Sequence, residues 1–244
     1  MSDTSSSGSG GSAASLPPAR PPAPLVAPVG PDGTAASARG EPAEAMREVA
    51  RDRDHLFLLH EALVDAERAA SLEARLEVVV NAIRKIGFGR VLLSLRDVEL
   101  NQTKLVSAGL APEDVSELRD RPASGIVWKR RLTSLERFRV SQSYYLDASD
   151  EWIAREFHGG LPSRLAPSDD VQWNPRDALL VPLKGSDGRI IATLVLDDPA
   201  DRHRPTLARV RTVELFGQQV AYMIEQAELI EIARRRADRL ARLH

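Results

Sequence analysis

Polar side chains alternate along residues 137–145 in a pattern that could bind an acidic ligand. If this segment is one β-strand, every second residue lies on the same face. The residues of that face are Arg137, Arg139, Ser141, Ser143 and Tyr145. Guanidinium groups hold a carboxylate or a phosphate through charge-assisted hydrogen bonds, and hydroxyl groups can add further ones. The alternative is that Phe138 and Val140 pack on the core while the arginine face is only solvated.

Three tryptophans near this segment could supply the flat apolar walls of a ligand pocket. They are Trp128, Trp152 and Trp173. Trp128 falls in a short predicted helix over Ser124–Leu132, and the other two fall in an irregular stretch over Leu146–Arg176. A connection of about 30 residues is long, and such loops often form lids or binding segments. We therefore predict a small-molecule site between the strand, the short helix and this loop.

Cysteine chemistry and the common catalytic motifs are absent from the sequence. Without cysteine, the chain has no disulfide, no thiolate zinc site and no cysteine nucleophile. Gly-x-Gly-x-x-Gly, Walker, His-Glu-x-x-His and Gly-x-Ser-x-Gly sequences are missing as well. His158 has no carboxylates at ligand-like spacing, and we interpret Asp197–Asp201 as a capping connection rather than a cation loop. We therefore expect neither a metal site nor an enzyme.

The charge and hydropathy of the chain argue against two classes of partner. The net charge of the 244 residues is −2, which gives no bulk attraction to nucleic acid or to a membrane surface. No run of about 18 apolar residues occurs, and residues 1–7 lack the features of a secretory signal. The basic run Arg234–Arg236 is interpreted as the solvated side of a helix. We expect a cytoplasmic protein that binds neither nucleic acid nor membranes.

The N-terminal part of the chain divides into a tail and two helices. Residues 1–44 are rich in Ser, Gly, Pro and Ala and bury too little apolar surface to fold, so we predict a disordered tail. Residues 45–70 carry an apolar seam at spacings of three and four, which predicts a helix. Ser71 is a suitable N-cap for a second helix that ends near Gly87.

The rest of the chain predicts antiparallel strands and a long terminal helix. Residues 90–95 and 104–108 are predicted as neighbouring strands, and residues 178–197 as a hairpin with a Gly-containing turn. A helix over 206–243 needs a partner, because long isolated helices are marginally stable. We predict that it pairs with residues 47–70 across a homodimer. The predicted dimer contacts are Leu56, Leu59, Leu63, Val213, Val220 and Met223.

The order of elements and the sequences Ala178–Leu183, Gly188–Leu196 and Gln218–Ala227 resemble the GAF domain family, over about residues 55–231. The resemblance implies an α+β fold with a central antiparallel sheet of five or six strands. Helices 47–86 and 206–243 would pack on one face of the sheet. Loops on the other face would form the roof of a ligand pocket.

The resemblance also gives a domain organisation. Residues 45–70 would be an N-terminal signalling helix, residues 71–231 the GAF domain, and residues 232–244 a coiled-coil extension of the terminal helix. The predicted roof consists of the helix around Ser124–Leu132, the segment 137–145 and the loop over 146–176.

In function, the resemblance implies a sensory module that binds a small molecule, dimerises, or does both. The chain ends at His244 without an output domain, so a separate histidine kinase, cyclase or transcription regulator is the expected partner. The Asn-Lys-Phe-Asp-Glu motif of cyclic-nucleotide GAF domains is absent, and bilin attachment needs a thiol that this chain lacks. Haem would need an axial histidine, and a lone loop residue such as His158 is more often a surface residue. The alternative is a structural dimerisation domain without a ligand.

Overall fold

A computed structural model describes residues 41–157, 163 and 172–242 of the chain. The predicted tail before residue 41 and the predictions on His158 therefore lie outside the described residues. The helices are α1 (Glu41–Arg68), α2 (Leu72–Lys85), α3 (Pro112–Asp120), α4 (Gly125–Ser134), a 3₁₀ helix (Leu135–Phe138), α5 (Glu151–Glu156) and α6 (Leu207–Ala241). The strands are β1 (Phe88–Arg96), β2 (Gln102–Ala108), β3 (Arg139–Val140), β4 (Ser143–Leu146), β5 (Ala178–Lys184) and β6 (Ile190–Pro199).

The six strands form one antiparallel sheet in the order β2-β1-β6-β5-β4-β3. Strands β5 and β6 form the predicted hairpin, in which the amide of Gly185 donates to the carbonyl of Arg189. Gly188 closes its turn at a φ of +79°, a conformation that glycine adopts without steric cost. The α+β fold with a six-stranded antiparallel sheet is the one that the resemblance implied.

The N-termini of α2 and α6 are capped by the side chain of the residue that precedes each helix. The Oγ of Ser71 accepts a hydrogen bond from the amide of Ala74 at 3.2 Å, which confirms Ser71 as the N-cap of α2. Thr206 caps α6 in the same way by accepting from the amide of Arg209. Helix α1 begins at Glu41, within the segment that we predicted to be disordered tail.

Two apolar clusters lie on opposite faces of the sheet. The larger one joins α1, α2 and α6 to one face, with Phe88, Leu194 and Phe216 among its members. The smaller one joins α4, α5 and the 3₁₀ helix to the other face, which we call the roof face. Its buried residues are Trp128, Leu135, Tyr144, Leu146, Ile153 and Leu180. Among the described residues, no helix has both the length and the apolar content needed to cross a bilayer.

The prediction of one strand over residues 137–145 is wrong. Arg137 and Phe138 end the 3₁₀ helix, and Ser141 and Gln142 form the two-residue turn between β3 and β4. Ser141 has a φ of +62°, which suits the first position of a tight hairpin turn. Because a helix end and a turn interrupt the alternation of faces, the five polar residues of this segment do not share one surface.

Most of the predicted dimer contacts are instead contacts within one chain. Leu59, Val213, Val220 and Met223 are buried between the helices and the sheet, so the prediction that they form a dimer interface is wrong. These residues do line one apolar side of each helix, as the sequence predicted, but that side faces the sheet of the same protomer. Leu56 is exposed and Leu63 is partly buried, so their part in a dimer stays a prediction.

Candidate functional site

Trp128 lies at the centre of the roof face. It is the fourth residue of α4 and is buried against the apolar side chains of the roof cluster. Its indole Nε1 is buried and has no hydrogen-bond partner among the described residues. A buried donor without an acceptor is costly, and in native proteins it often marks a place where a water molecule, an ion or another group binds.

Arg96 contacts Trp128 from the last position of β1. Only 8% of Arg96 is exposed, and its guanidinium carbon lies 4.4 Å from the centroid of the Trp128 ring. Its hydrogen bonds are long: Nε and Nη2 each lie 3.4 Å from Thr193 Oγ1, and Nη1 lies 3.3 Å from the carbonyl of Leu100. No carboxylate of the described residues forms a salt bridge with Arg96. Burial and, to a smaller extent, the nearby charge of Arg131 lower the pKa of the Arg96 guanidinium to about 10, while the charge of Asp97 acts in the opposite direction.

Arg131 approaches the same tryptophan from α4. Its guanidinium lies 5.5 Å from the ring centroid of Trp128 and 4.5 Å from that of Phe157. Unlike Arg96, it is partnered, because Nε donates to Glu156 Oε1 at 3.2 Å. Two cations therefore contact the Trp128 ring, and only one of them has a carboxylate.

The turn between β1 and β2 fixes the start of α4 beside Arg96. Asp97 Oδ1 accepts from the amides of Glu99 and Asn101 at 2.9 and 2.8 Å, and these bonds help to hold the pKa of the Asp97 carboxyl below its usual value. Asn101 Oδ1 in turn accepts from the amide of Gly125 at 2.8 Å, at the first residue of α4. The chain comes so close here that a β-carbon on Gly125 would lie 1.8 Å from the carbonyl oxygen of Glu99.

Arg137 and Trp152 lie at the edge of the roof cluster. The rings of Phe138 and Trp152 stack with centroids 6.1 Å apart, and the Arg137 guanidinium lies 4.6 Å from the Phe138 ring. Arg137 also forms an ion pair with Asp150 at 3.3 Å. The structure therefore brings the predicted residues Trp128, Trp152 and Arg137 to one face, where binding of a ligand stays a prediction.

Arg139 forms an exposed ion pair at the edge of the sheet. Its Nε donates to Glu136 Oε2 at 2.8 Å, and the hydroxyl of Tyr144 donates to Oε1 of the same carboxylate at 2.9 Å. These hydrogen bonds lower the pKa of the Glu136 carboxyl. Arg139 is thus already paired within the chain.

Ser141 and Ser143 point away from the roof face and bind α6. Both hydroxyls donate to the carboxylate of Glu214 at 2.7 Å, and the amide of Gln142 donates to it at 2.8 Å. Glu214 is only 7% exposed. Three donors of the β3–β4 hairpin, two from its turn and one from the start of β4, therefore enclose one buried carboxylate of the terminal helix, an arrangement that we call the Glu214 clasp.

Tyr145 and Trp173 form a third group, separate from the roof cluster. Their rings meet edge to face with centroids 5.7 Å apart, and the Tyr145 hydroxyl donates to Asp177. Asp177 also accepts from the amides of Ala148 and Asn174 at 2.8 and 2.9 Å. Burial raises the pKa of the Asp177 carboxyl. This group anchors the chain before β5 and does not extend the site around Trp128.

The sequence contained a signal for Arg96 that our prediction missed. Strand β1 places Arg90, Ser94 and Arg96 on one face, with Leu92 between the first two and an apolar series on the opposite face, so its roof face carries polar side chains in the middle of the sheet. Arg90 is as buried as Arg96 at 8%, yet it lies between the carboxylates of Asp197 and Asp198. Asp197 and Asp198 thus bind an arginine and do not act as the helix caps that we predicted.

No candidate metal centre is found in the described part of the chain, which contains no cluster of three or more histidine and carboxylate ligands. His158, the residue considered for haem, is outside the described ranges.

Comparisons with known proteins agree with the architecture. The family model described as GAF domain matches residues 71–226. No curated protein matches the chain. Among solved structures, the GAF domain of a phosphoenolpyruvate-protein phosphotransferase from Acinetobacter is similar at 20% identity, covering 72% of this chain and 95% of that one with a TM-score of 0.48.

Two further structures show the same range of similarity. The GAF domain of the corresponding phosphotransferase from Coxiella burnetii is 16% identical, covers 74% of this chain and 98% of its own, and has a TM-score of 0.48. A GAF domain/HD domain protein from Geobacter sulfurreducens is 14% identical, with coverages of 70% and 94% and a TM-score of 0.44. Since the family model spans well over half of the residues, this chain belongs to the GAF domain family.

Proposed function

We propose that this chain is a cytoplasmic sensory module, without enzymatic activity, that binds a small molecule at its roof face and signals through its terminal helix. Membership of the GAF family supports a role in signal transduction. The observation that carries the proposal is the shape of α6. Its first part packs under the sheet, whereas residues 228–242 are exposed throughout. At 1.5 Å per residue, this exposed part extends about 20 Å beyond the core.

One side of α6 carries an exposed apolar stripe, which begins in the part that packs under the sheet and calls for a partner helix. Leu215, Tyr222 and Leu229 follow one another at intervals of seven and are all exposed, and Leu240 continues the same side of the helix. A helix with such a stripe gains most of its stability by packing it against another element. We propose that the stripe pairs with its copy in a homodimer, in place of the buried residues that the sequence suggested.

A double substitution tests this interface. Tyr222→Glu with Leu229→Glu places two like charges on each facing helix. We therefore expect the dissociation constant of the dimer to rise at least tenfold. Sedimentation velocity over a range of concentrations measures it. Arg239→Glu is the matched control, since it adds a glutamate to a different side of the same helix and should leave the dimer intact. A wild-type chain that sediments as a monomer at all concentrations would disprove the interface.

A physical link between the sheet and α6 supports signalling through this helix. The Glu214 clasp ties α6 to the β3–β4 turn, and Tyr144 of β4 belongs to the roof cluster on the opposite face. A roof ligand can change the position of α6 only if it binds one packing state of these elements better than another. A separate histidine kinase, cyclase or transcription regulator would receive the change.

A structural dimerisation domain without a ligand is the second candidate function. A melting-temperature screen of the full chain against metabolites and nucleotides separates the two. The sensory proposal expects at least one compound to raise the melting temperature in proportion to its concentration. If no compound does so and the chain is still dimeric, the structural role replaces the sensory one.

A further inference from the structure

We propose that Arg96 and Trp128 form an anion-binding site, which takes the carboxylate or phosphate group of a small molecule. The inference rests on the proposed ligand role of the roof face and adds the chemical class of the ligand. Such a site requires a buried cation without a salt-bridge partner, a hydrogen-bond donor without an acceptor beside it, and further positive groups nearby. The structure contains all three.

The buried cation is Arg96. Removing a charge from water is costly unless it is paired, and the long hydrogen bonds to Thr193 and Leu100 offset that cost poorly. Among the described residues, the other strongly buried arginine is Arg90 of the same strand, which lies between two carboxylates at equal exposure and so provides a comparison. The part of the chain that the structure describes offers Arg96 no such partner. An external anion would take the place that Asp197 and Asp198 occupy beside Arg90.

The unsatisfied donor is the indole Nε1 of Trp128, which belongs to the same ring that Arg96 stacks on. Since an indole N–H can only donate, the missing partner must be an acceptor. A carboxylate or phosphate carries several acceptor oxygens and can serve a guanidinium and an N–H donor together. One anionic group could therefore accept hydrogen bonds from both residues.

Two further positive groups lie near Arg96 and act against the negative charge of Asp97, the next residue along the chain. Arg131 adds a second guanidinium against the Trp128 ring, partly neutralised by Glu156. The N-terminus of α4 lies against the turn that contacts Arg96, and its first turn contains no acidic residue. The positive end of a helix dipole next to an unpaired guanidinium stabilises an anion further.

The test is a titration of the full chain with inorganic phosphate, succinate, AMP and adenosine at constant ionic strength. Melting temperature and tryptophan fluorescence report binding. We expect at least one of the three anions to raise the melting temperature by 2 °C or more, and adenosine to bind at least tenfold more weakly than AMP if AMP is the ligand. Arg96→Met should lower the affinity for the anion that raises the melting temperature at least tenfold.

Two further variants keep the test decisive. Trp128→Phe keeps an aromatic ring under Arg96 but removes the N–H, so we expect a loss of affinity of about threefold to tenfold. Arg155→Met removes an exposed arginine from α5 and should bind the anion as the wild type does. Anion affinity that is unchanged in both Arg96→Met and Trp128→Phe would overturn the inference, and so would stabilisation by adenosine alone, which would leave the sensory function standing. A wild type that responds to none of the four probes also overturns it, while the broader metabolite screen decides the sensory function.

Discussion

Replacing Glu214 with alanine is expected to lower the free energy of unfolding by about 3 kcal/mol. The buried carboxylate accepts two hydroxyl hydrogen bonds at 2.7 Å and one amide hydrogen bond at 2.8 Å. Hydrogen bonds to a charged group each contribute about 1.5–3 kcal/mol, and the substitution leaves the buried hydroxyl of Ser143 without its acceptor. Because Ser141 and Gln142 are exposed, their donors can turn to water, which limits the total loss. Urea denaturation of wild type and variant measures the difference.

Two matched variants separate the Glu214 clasp from helix propensity. Glu214→Gln keeps a carbonyl acceptor at the same place and should lose about half as much stability. Glu228→Ala removes an exposed glutamate from the same helix and should change the free energy of unfolding by less than about 0.5 kcal/mol. A loss below about 1 kcal/mol for Glu214→Ala would show that the three hydrogen bonds do not hold the β3–β4 turn to α6.

Replacing Gly125 with alanine is expected to cost about 2–4 kcal/mol and to abolish the anion response. The added methyl group would lie 1.8 Å from the carbonyl oxygen of Glu99, a backbone atom that cannot rotate away. The start of α4 must then separate from the turn between β1 and β2, which also weakens the hydrogen bond from Gly125 to Asn101. Since Trp128 lies one turn further along α4, its ring would leave Arg96.

The neighbouring residue provides the control for Gly125. Ser124 is the N-cap of α4, but its side chain forms no capping hydrogen bond, so Ser124→Ala should lose less than about 0.5 kcal/mol and retain the anion response. Urea denaturation and the phosphate and succinate titrations are run on both variants. If Gly125→Ala is as stable as the wild type, the close approach of α4 to the turn is not a constraint on the roof.

The fold could be predicted because its elements carry strong local signals. The caps at Ser71, the glycine-containing turn between β5 and β6, and the apolar period of α6 each depend on residues close in sequence. The same period could not reveal which side of α6 meets the sheet and which side stays exposed. Val213 and Val220 are seven residues apart, as are Leu215 and Tyr222, so both pairs fit an apolar stripe along a helix. Only the packing of the folded chain shows that the first pair is buried and the second exposed.

The candidate site was predictable only in part, because its residues come from distant parts of the chain. Trp128 was identified as an isolated aromatic residue, whereas its contact with Arg96 depends on the pairing of β1 with β6 and on the position of α4. The alternation of residues 137–145 indicated one polar face, but the two-residue turn at Ser141 divides it. Glu214 lies in an apolar helical stretch, and the sequence gives no local sign of its three donors.

The most direct test of signalling from the roof to α6 is a distance measurement between the two terminal helices of the proposed dimer. Because the chain contains no cysteine, Asp238→Cys gives one spin-label position per protomer on the exposed part of α6. Pulsed electron–electron double resonance is recorded without an anion and then with one of phosphate, succinate and AMP. The anion used is the one that gives the largest rise in melting temperature. We predict a shift of the mean distance by about 2 Å or more in the wild-type background and none with Arg96→Met. An unchanged distance at a saturating anion concentration would contradict the account.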